Sequence, residues 1–230
     1  MYREGQKEVV AMKTIITIGR EFGSGGHQIG KILADDLGIP YYDKELLERA
    51  AKDSGLCKEI FENQDEKPTS SFLYSLVMDS YSFGYSSNVM NDMPLNQKVF
   101  LAQFDSIKQL AKEGPCVIIG RCADYALEDN PNLLSVFIHA DMDARVRRIA
   151  NIYGMTANKA SDRIRKNDKS RSSYYNYYTC KEWGNADSYD LCINSAKYGI
   201  DGTVELLKAA IAQKEKGYKT SIEEKKPANL

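Results

Sequence analysis

The chain has 230 residues, 43% apolar and 27% charged, which suits one globular domain, or slightly more, around a sizeable core. A net charge of −1 excludes a global field that would draw the protein to nucleic acid or to a membrane surface, so any anion site must be built locally. The longest apolar runs are roughly five residues, far short of a membrane span.

In chain order, Met1–Lys13 is a polar extension and does not read as a signal peptide. Five short apolar runs then read as strands: Thr14–Ile18, Ile39–Tyr42, Cys116–Ile119, Leu134–His139 and Leu191–Asn194. Helical patterns lie between and after them. Gln28–Leu37 puts Ile29, Ile32, Leu33 and Leu37 on one face, and Lys44–Ala51 does the same with Leu46, Leu47 and Ala50. Gln97–Lys112, Asp143–Ile152 and Ile200–Ala212 follow the same spacing. Strand and helix alternate, so the chain reads as α/β with right-handed crossovers and a five-stranded parallel sheet. Two stretches stand outside that alternation: 57–96, rich in Ser, Tyr and Asn, and 153–190, basic and aromatic. One insertion would hold an acceptor and the other would close over a donor as a lid. The core domain is expected over 14–213, and the charged tail 214–230 is expected to fray.

The five cysteines are never spaced C-x-x-C and read as reduced thiols of a cytoplasmic protein. His27 and His139 are the only histidines, which excludes a His-rich metal site.

The first strand runs into Gly23, Ser24, Gly25 and Gly26, and the next helix begins near His27 and Gln28. Strand, glycines, helix is the arrangement that aims backbone N–H groups and a helix N-terminus at an anion. The pattern G-x-x-x-x-G-K-[ST] fails here, because Gly26 stands at the lysine and His27 at the hydroxyl residue. Three readings stay open. His27, Arg20 or a lid arginine supplies the cation, with Ser24 or water on the metal; or the loop binds an anion without transferring anything; or donor and acceptor differ from the usual ones. Glu21 is a further candidate, holding magnesium through water. Downstream, Arg145, Arg147, Arg148, Arg163, Arg165, Lys166, Lys169 and Arg171 cluster, as a phosphoryl group's equatorial oxygens require.

The stretches "ITIGREFGSGGHQIGKILADDLGIPYYDKELL", "VIIGRCADYAL", "VFIHADMDARVRRI" and "RIRKNDKSRSSYYNYYTCKEWGNADSYDLCIN" resemble the cytidylate-kinase-like proteins, a branch of the P-loop nucleoside monophosphate kinases. The resemblance spans roughly 14–207. It implies a P-loop NTPase-type three-layer sandwich with a helical acceptor-side insertion and an arginine-rich lid. It also implies transfer of phosphate from ATP, with Mg2+, to CMP, dCMP or a similar small acceptor. Arg20, Gly23, Ser24, Gly25, Gly26, His27, Gln28 and Arg145 would then bind the donor. Asp43, Arg49, Arg121 and Asp124 would bind the acceptor, although Cys122 stands where the family has an aspartate. Arg148, Asp168 and Arg171 would be catalytic. Two other outcomes compete: a nucleotide sensor without turnover, and a kinase for a different acceptor.

"SSYYNYYTCKEW" gathers four tyrosines and the only tryptophan. Interleaved with basic residues, such rings can stack single-stranded nucleic acid. The net charge argues against that, so packing on the core or against a second copy in a homodimer is the expectation.

Overall fold

The computed structural model describes residues 12–54 and 95–224. The N-terminal extension and the acceptor-side insertion lie outside the described residues, apart from their last two positions.

Ile15, Ile16, Thr17 and Ile18 are all buried, so the first strand is covered on both faces. That strand, β1 (Ile15–Arg20), lies at the centre of a sheet with β2 (Tyr41–Tyr42), β3 (Val117–Ile119), β4 (Leu133–His139) and β5 (Leu191–Asn194). The order is β2-β3-β1-β4-β5 and every pairing is parallel. The sheet is therefore the five-stranded parallel one the sequence predicts.

Helices cover both faces. Ile16, Ile18, Val117, Val136 and Ile138 pack on Ile29 and Leu33 of α1 (Gly26–Leu37) and on Val204, Leu207 and Ile211 of α7 (Ser195–Glu224). On the other face Ile15 and Ile118 meet Leu46 of α2 (Lys44–Ser54), Ile107 and Leu110 of α3 (Leu95–Glu113), and Ala123 and Ala126 of the short α4 (Ala123–Ala126). The three layers follow from strands that are apolar on both sides.

Two helices form the basic region. α5 (Met142–Tyr153) carries the arginines of the "ARVRR" run, and α6 (Ala157–Thr179) is one continuous helix of 23 residues. The lid arginines thus fall on two elements. Tyr174, Tyr175 and Tyr178 of α6 are buried against Phe100, Leu101, Phe137 and Tyr189, with Trp183 packed alongside. The tyrosine cluster is core, and those three rings are not available to a partner chain.

The last helix departs from expectation. It was to end at Ala212, yet α7 continues to Glu224 through strong helix formers such as Gln213, Lys214 and Glu215. Gly199 breaks it once, at φ 70° and ψ 179°, which separates a first turn at Ser195 from the long helix after Ile200. Glu215 then ties this helix to the start of β1. Its Oε1 accepts from the amides of Lys13 at 2.9 Å and Thr14 at 2.8 Å, and from the Thr14 hydroxyl. Burial pushes the Glu215 carboxyl up, but these hydrogen bonds outweigh it and hold it below its ordinary 4.5.

A carboxylate with a depressed folded-state pKa stabilises above its ordinary value and loses that contribution as pH falls through the lowered one. Glu215→Gln is therefore expected to cost about 2 kcal/mol at pH 7. The gap to wild type should close as pH falls below 4.5, as read by urea denaturation at both pH values.

Candidate active site

The turn after β1 is shaped from outside. Gly23 and Gly25 take φ of 84° and 87°, a region that side chains disfavour. Gly25 caps α1 and brings no side-chain cap to the helix start. Its first-turn amides have no partners within the helix and face an outside acceptor. This is a cradle suited to phosphate oxygens.

α5 and α6 hold the turn in place. Asp168 accepts from the Phe22 amide at 2.7 Å and pairs with Arg145 at 2.5 Å. Arg145 is 5% exposed and also donates to the Phe22 carbonyl at 3.3 Å. Glu21 accepts from the Ala140 amide at 3.0 Å and lies 3.5 Å from Arg145 Nε, so its carboxylate serves the turn. Arg148 donates to the Gly23 carbonyl at 2.9 Å, and burial lowers its pKa without threatening its charge. Arg171 donates to the Arg20 carbonyl at 3.3 Å.

Ser24 is fully buried, and its hydroxyl donates to the Glu21 carbonyl at 2.9 Å. Its hydroxyl is thus committed to the turn's own backbone and has no exposed side to offer a metal ion. Among the described residues no group of three or more His, Cys, Asp or Glu side chains could hold a metal ion.

A second cluster adjoins the first turn of α1. Asp43, 8% exposed, accepts from Arg121 Nη1 at 2.8 Å and faces His27 Nε2 at 3.2 Å. His27 is thus directed at Asp43, with its ring edge on Tyr41 and 66% of its side chain exposed. Arg121 and Cys122 both adopt left-handed backbone, at φ 53° and 54°. Each is a strained position for a side-chain-bearing residue, as recurs at functional sites. Burial, then the charge of Asp43, pushes the Tyr41 phenol up, while the Arg20 and Arg121 charges pull it down. Gln28 lies exposed on the first turn of α1.

Between the C-terminal ends of β1 and β3 runs a narrow cleft, with a cavity volume of about 20 Å³. Arg20, Arg121 and Arg171 line it together with aromatic side chains of α6 and the segment after it. This is the place beside the central strand where ligands enter open parallel sheets. Asp124 closes its floor and accepts from the Tyr175 hydroxyl at 2.6 Å. Burial pushes the Asp124 carboxyl up, and that bond only partly offsets it.

Of the expected acceptor residues, Asp43 and Arg121 are therefore joined and Asp124 lies on the same cleft. Arg49 is not brought to them: it pairs with Glu113 across α2 and α3, and with Asp53 one turn on. Arg145 and Asp168, expected at the donor phosphates and in the chemistry, bond to each other and to the turn's backbone. Ser195 was missed. Its hydroxyl donates to the carbonyls of Ser24 and His139, the latter at 3.2 Å, fixing the rear of the turn from α7. The local sequence shows only a serine before a helix, and the partner lies 171 residues away.

Comparisons with known proteins bear on the family and the fold. The cytidylate kinase-like family pattern matches residues 15–197. The cytidylate kinase of Pyrococcus horikoshii is 25% identical over 201 residues, covering 86% of this chain and 88% of its own. A solved structure of an uncharacterized protein from Eubacterium ventriosum is 32% identical, with TM-score 0.66, over 87% of this chain and 99% of that one. A gluconokinase from Sinorhizobium meliloti shares the fold at 15% identity and TM-score 0.52, over 91% and 98%. No helix among the described residues is long and apolar enough to cross a membrane. With the family pattern covering most of the chain, and a strand–glycine–helix turn at the centre of a 2-3-1-4-5 parallel sheet, the chain belongs to the cytidylate kinase-like family and has the fold of the P-loop kinases.

Proposed function

We propose that the protein transfers the γ-phosphate of ATP to CMP, dCMP or a similar small phosphate-bearing acceptor. The observation that carries this reading is the glycine turn at the start of α1 opening beside a cleft with three arginines, Arg20, Arg121 and Arg171. A polyphosphate would lie on the turn's amides, and an acceptor phosphate in the arginine cleft. In the transfer, the bond from the γ-phosphorus to the β,γ-bridging oxygen breaks as a bond to an acceptor oxygen forms. An acceptor phosphate is already ionised near neutral pH, so the step needs no general base. It needs fixed cations around the transferring group.

Arg171 and Arg121, which both line the cleft, would supply such charge. Arg148 holds the Gly23 carbonyl beside the donor's path. Arg145 and Asp168 act as positioning residues, because their polar atoms already hold the turn's backbone. Asp43 joins the acceptor side through Arg121 to the donor helix through His27. Magnesium would enter with ATP and neutralise phosphate oxygens; Ser24 does not fit as its ligand, and no protein ligand is assigned. The relatives named cytidylate kinase support an enzyme acting on nucleotides, and the reading places it in the cytoplasm.

One observation favours a second reading. Gly26 at the lysine position suits a protein that binds nucleotide and senses it without turnover.

Folded protein with Mg-ATP and each common nucleoside monophosphate is expected to release ADP at enzymatic rates, fastest with CMP or dCMP. ATP-dependent thermal stabilisation without ADP release from any of them would select the sensor reading. Arg171→Ala is expected to slow turnover about 100-fold while changing ATP affinity far less. Equal losses in kcat and in calorimetric ATP binding would contradict a role confined to the transferring group.

A further inference from the structure

The variant turn has a second anomaly that pairs with its missing lysine. In the phosphate-loop pattern the first glycine stands six residues before the lysine. With Gly26 at the lysine position, that first glycine is residue 20, and residue 20 is arginine. We propose that the cation has moved across the loop: Arg20 supplies the phosphate-binding charge, and Gly26 is glycine to make room for it.

The packing ties the two positions together. Gly26 lies at the first residue of α1 and is not among the glycines with positive φ, so its backbone conformation does not demand glycine. Close approach does. A Cβ on Gly26 would lie 2.6 Å from Arg20 Cβ and 3.2 Å from Arg20 Cγ. The obstacle is the root of the arginine side chain, which the backbone fixes, so rotation cannot relieve it. Only one of the two positions can carry a side chain. In a lysine loop the glycine at the first position leaves space for the lysine; here the arrangement is reversed.

The direction of Arg20 fits the role. It lines the cleft with Arg121 and Arg171 at the end of β1. The root of its side chain abuts Gly26, the first residue of α1, so the arginine springs from beside the helix start. The Arg20 carbonyl is held by Arg171, so backbone and lid fix the base of the side chain. A guanidinium from the strand end can grip two phosphate oxygens at once and stays charged throughout.

The inference rests on the phosphotransfer reading, and a cycle of Arg20→Gly, Gly26→Lys and the double variant separates the two. Melting temperature, calorimetric Mg-ATP affinity and ADP release are read for each. Gly26→Lys alone should melt well below wild type or fail to fold. Arg20→Gly should fold, bind ATP about 10-fold more weakly and turn over about 100-fold more slowly. The double variant should melt like Arg20→Gly and regain at least about 10-fold of the lost turnover, since it rebuilds a lysine loop. If wild type turns over and Arg20→Gly stays within about twofold of it in both affinity and rate, the inference falls and the phosphotransfer reading stands. If Gly26→Lys melts like wild type, the steric exchange is wrong. If wild type binds no ATP, both readings fall together.

Discussion

The arrangement of the site depends on one carboxylate. Asp168 reaches from α6 to accept the Phe22 amide with one oxygen and Arg145 with the other. A turn rich in glycine has a large conformational entropy to lose, and without an external tie it would sample many shapes. Asp168 and Arg145 remove that freedom from the outer side, and Ser195 does so from the rear. Arg145 is almost fully buried, so removing Asp168 would leave its guanidinium with only Glu21, at 3.5 Å, to balance it. The turn's geometry is therefore a property of α5, α6 and α7 as much as of its own sequence.

The same economy appears at the end of β3. Asp43 faces both Arg121 and His27, one on the strand β3 turn and one on the helix that carries the glycine cradle. The left-handed backbone at Arg121 and Cys122 points this arginine back along its own strand, where it also donates to the Ile119 carbonyl at 3.1 Å. Asp43 thus links the β3 turn, through its hydrogen bond from Arg121, to the first turn of α1, through its contact with His27.

Much of this was legible in the sequence, and for identifiable reasons. Strands buried on both faces announce themselves as short apolar runs, and α1 through its period of 3.6; both survived into the structure almost unchanged. The glycine turn was legible because glycine has so few reasons to recur there. The aromatic cluster of α6 was rightly weighed as packing. What could not be read were partnerships between distant positions. Arg49 looks like any arginine until Glu113 is beside it. Asp168 and Arg171 share a helix face by spacing, but their bonds to the turn at residues 20–22 span about 150 positions of chain. Glu215 reads as tail, because nothing local reveals the β1 amides waiting for its carboxylate.

The crowding between residues 20 and 26 also limits how such a loop can arise. In this backbone a lysine could not be added at residue 26 while Arg20 stays in place, because the two side-chain roots would lie 2.6 Å apart. An arginine loop cannot regain the lysine first, for the same reason. The sterically open route between them passes through glycine at both positions, and that intermediate has neither cation. On the proposal that Arg20 carries the phosphate's counter-charge, each form is isolated by a step that sacrifices it. A lineage that has crossed is held on its side by packing, even where the two loops would serve the chemistry equally well.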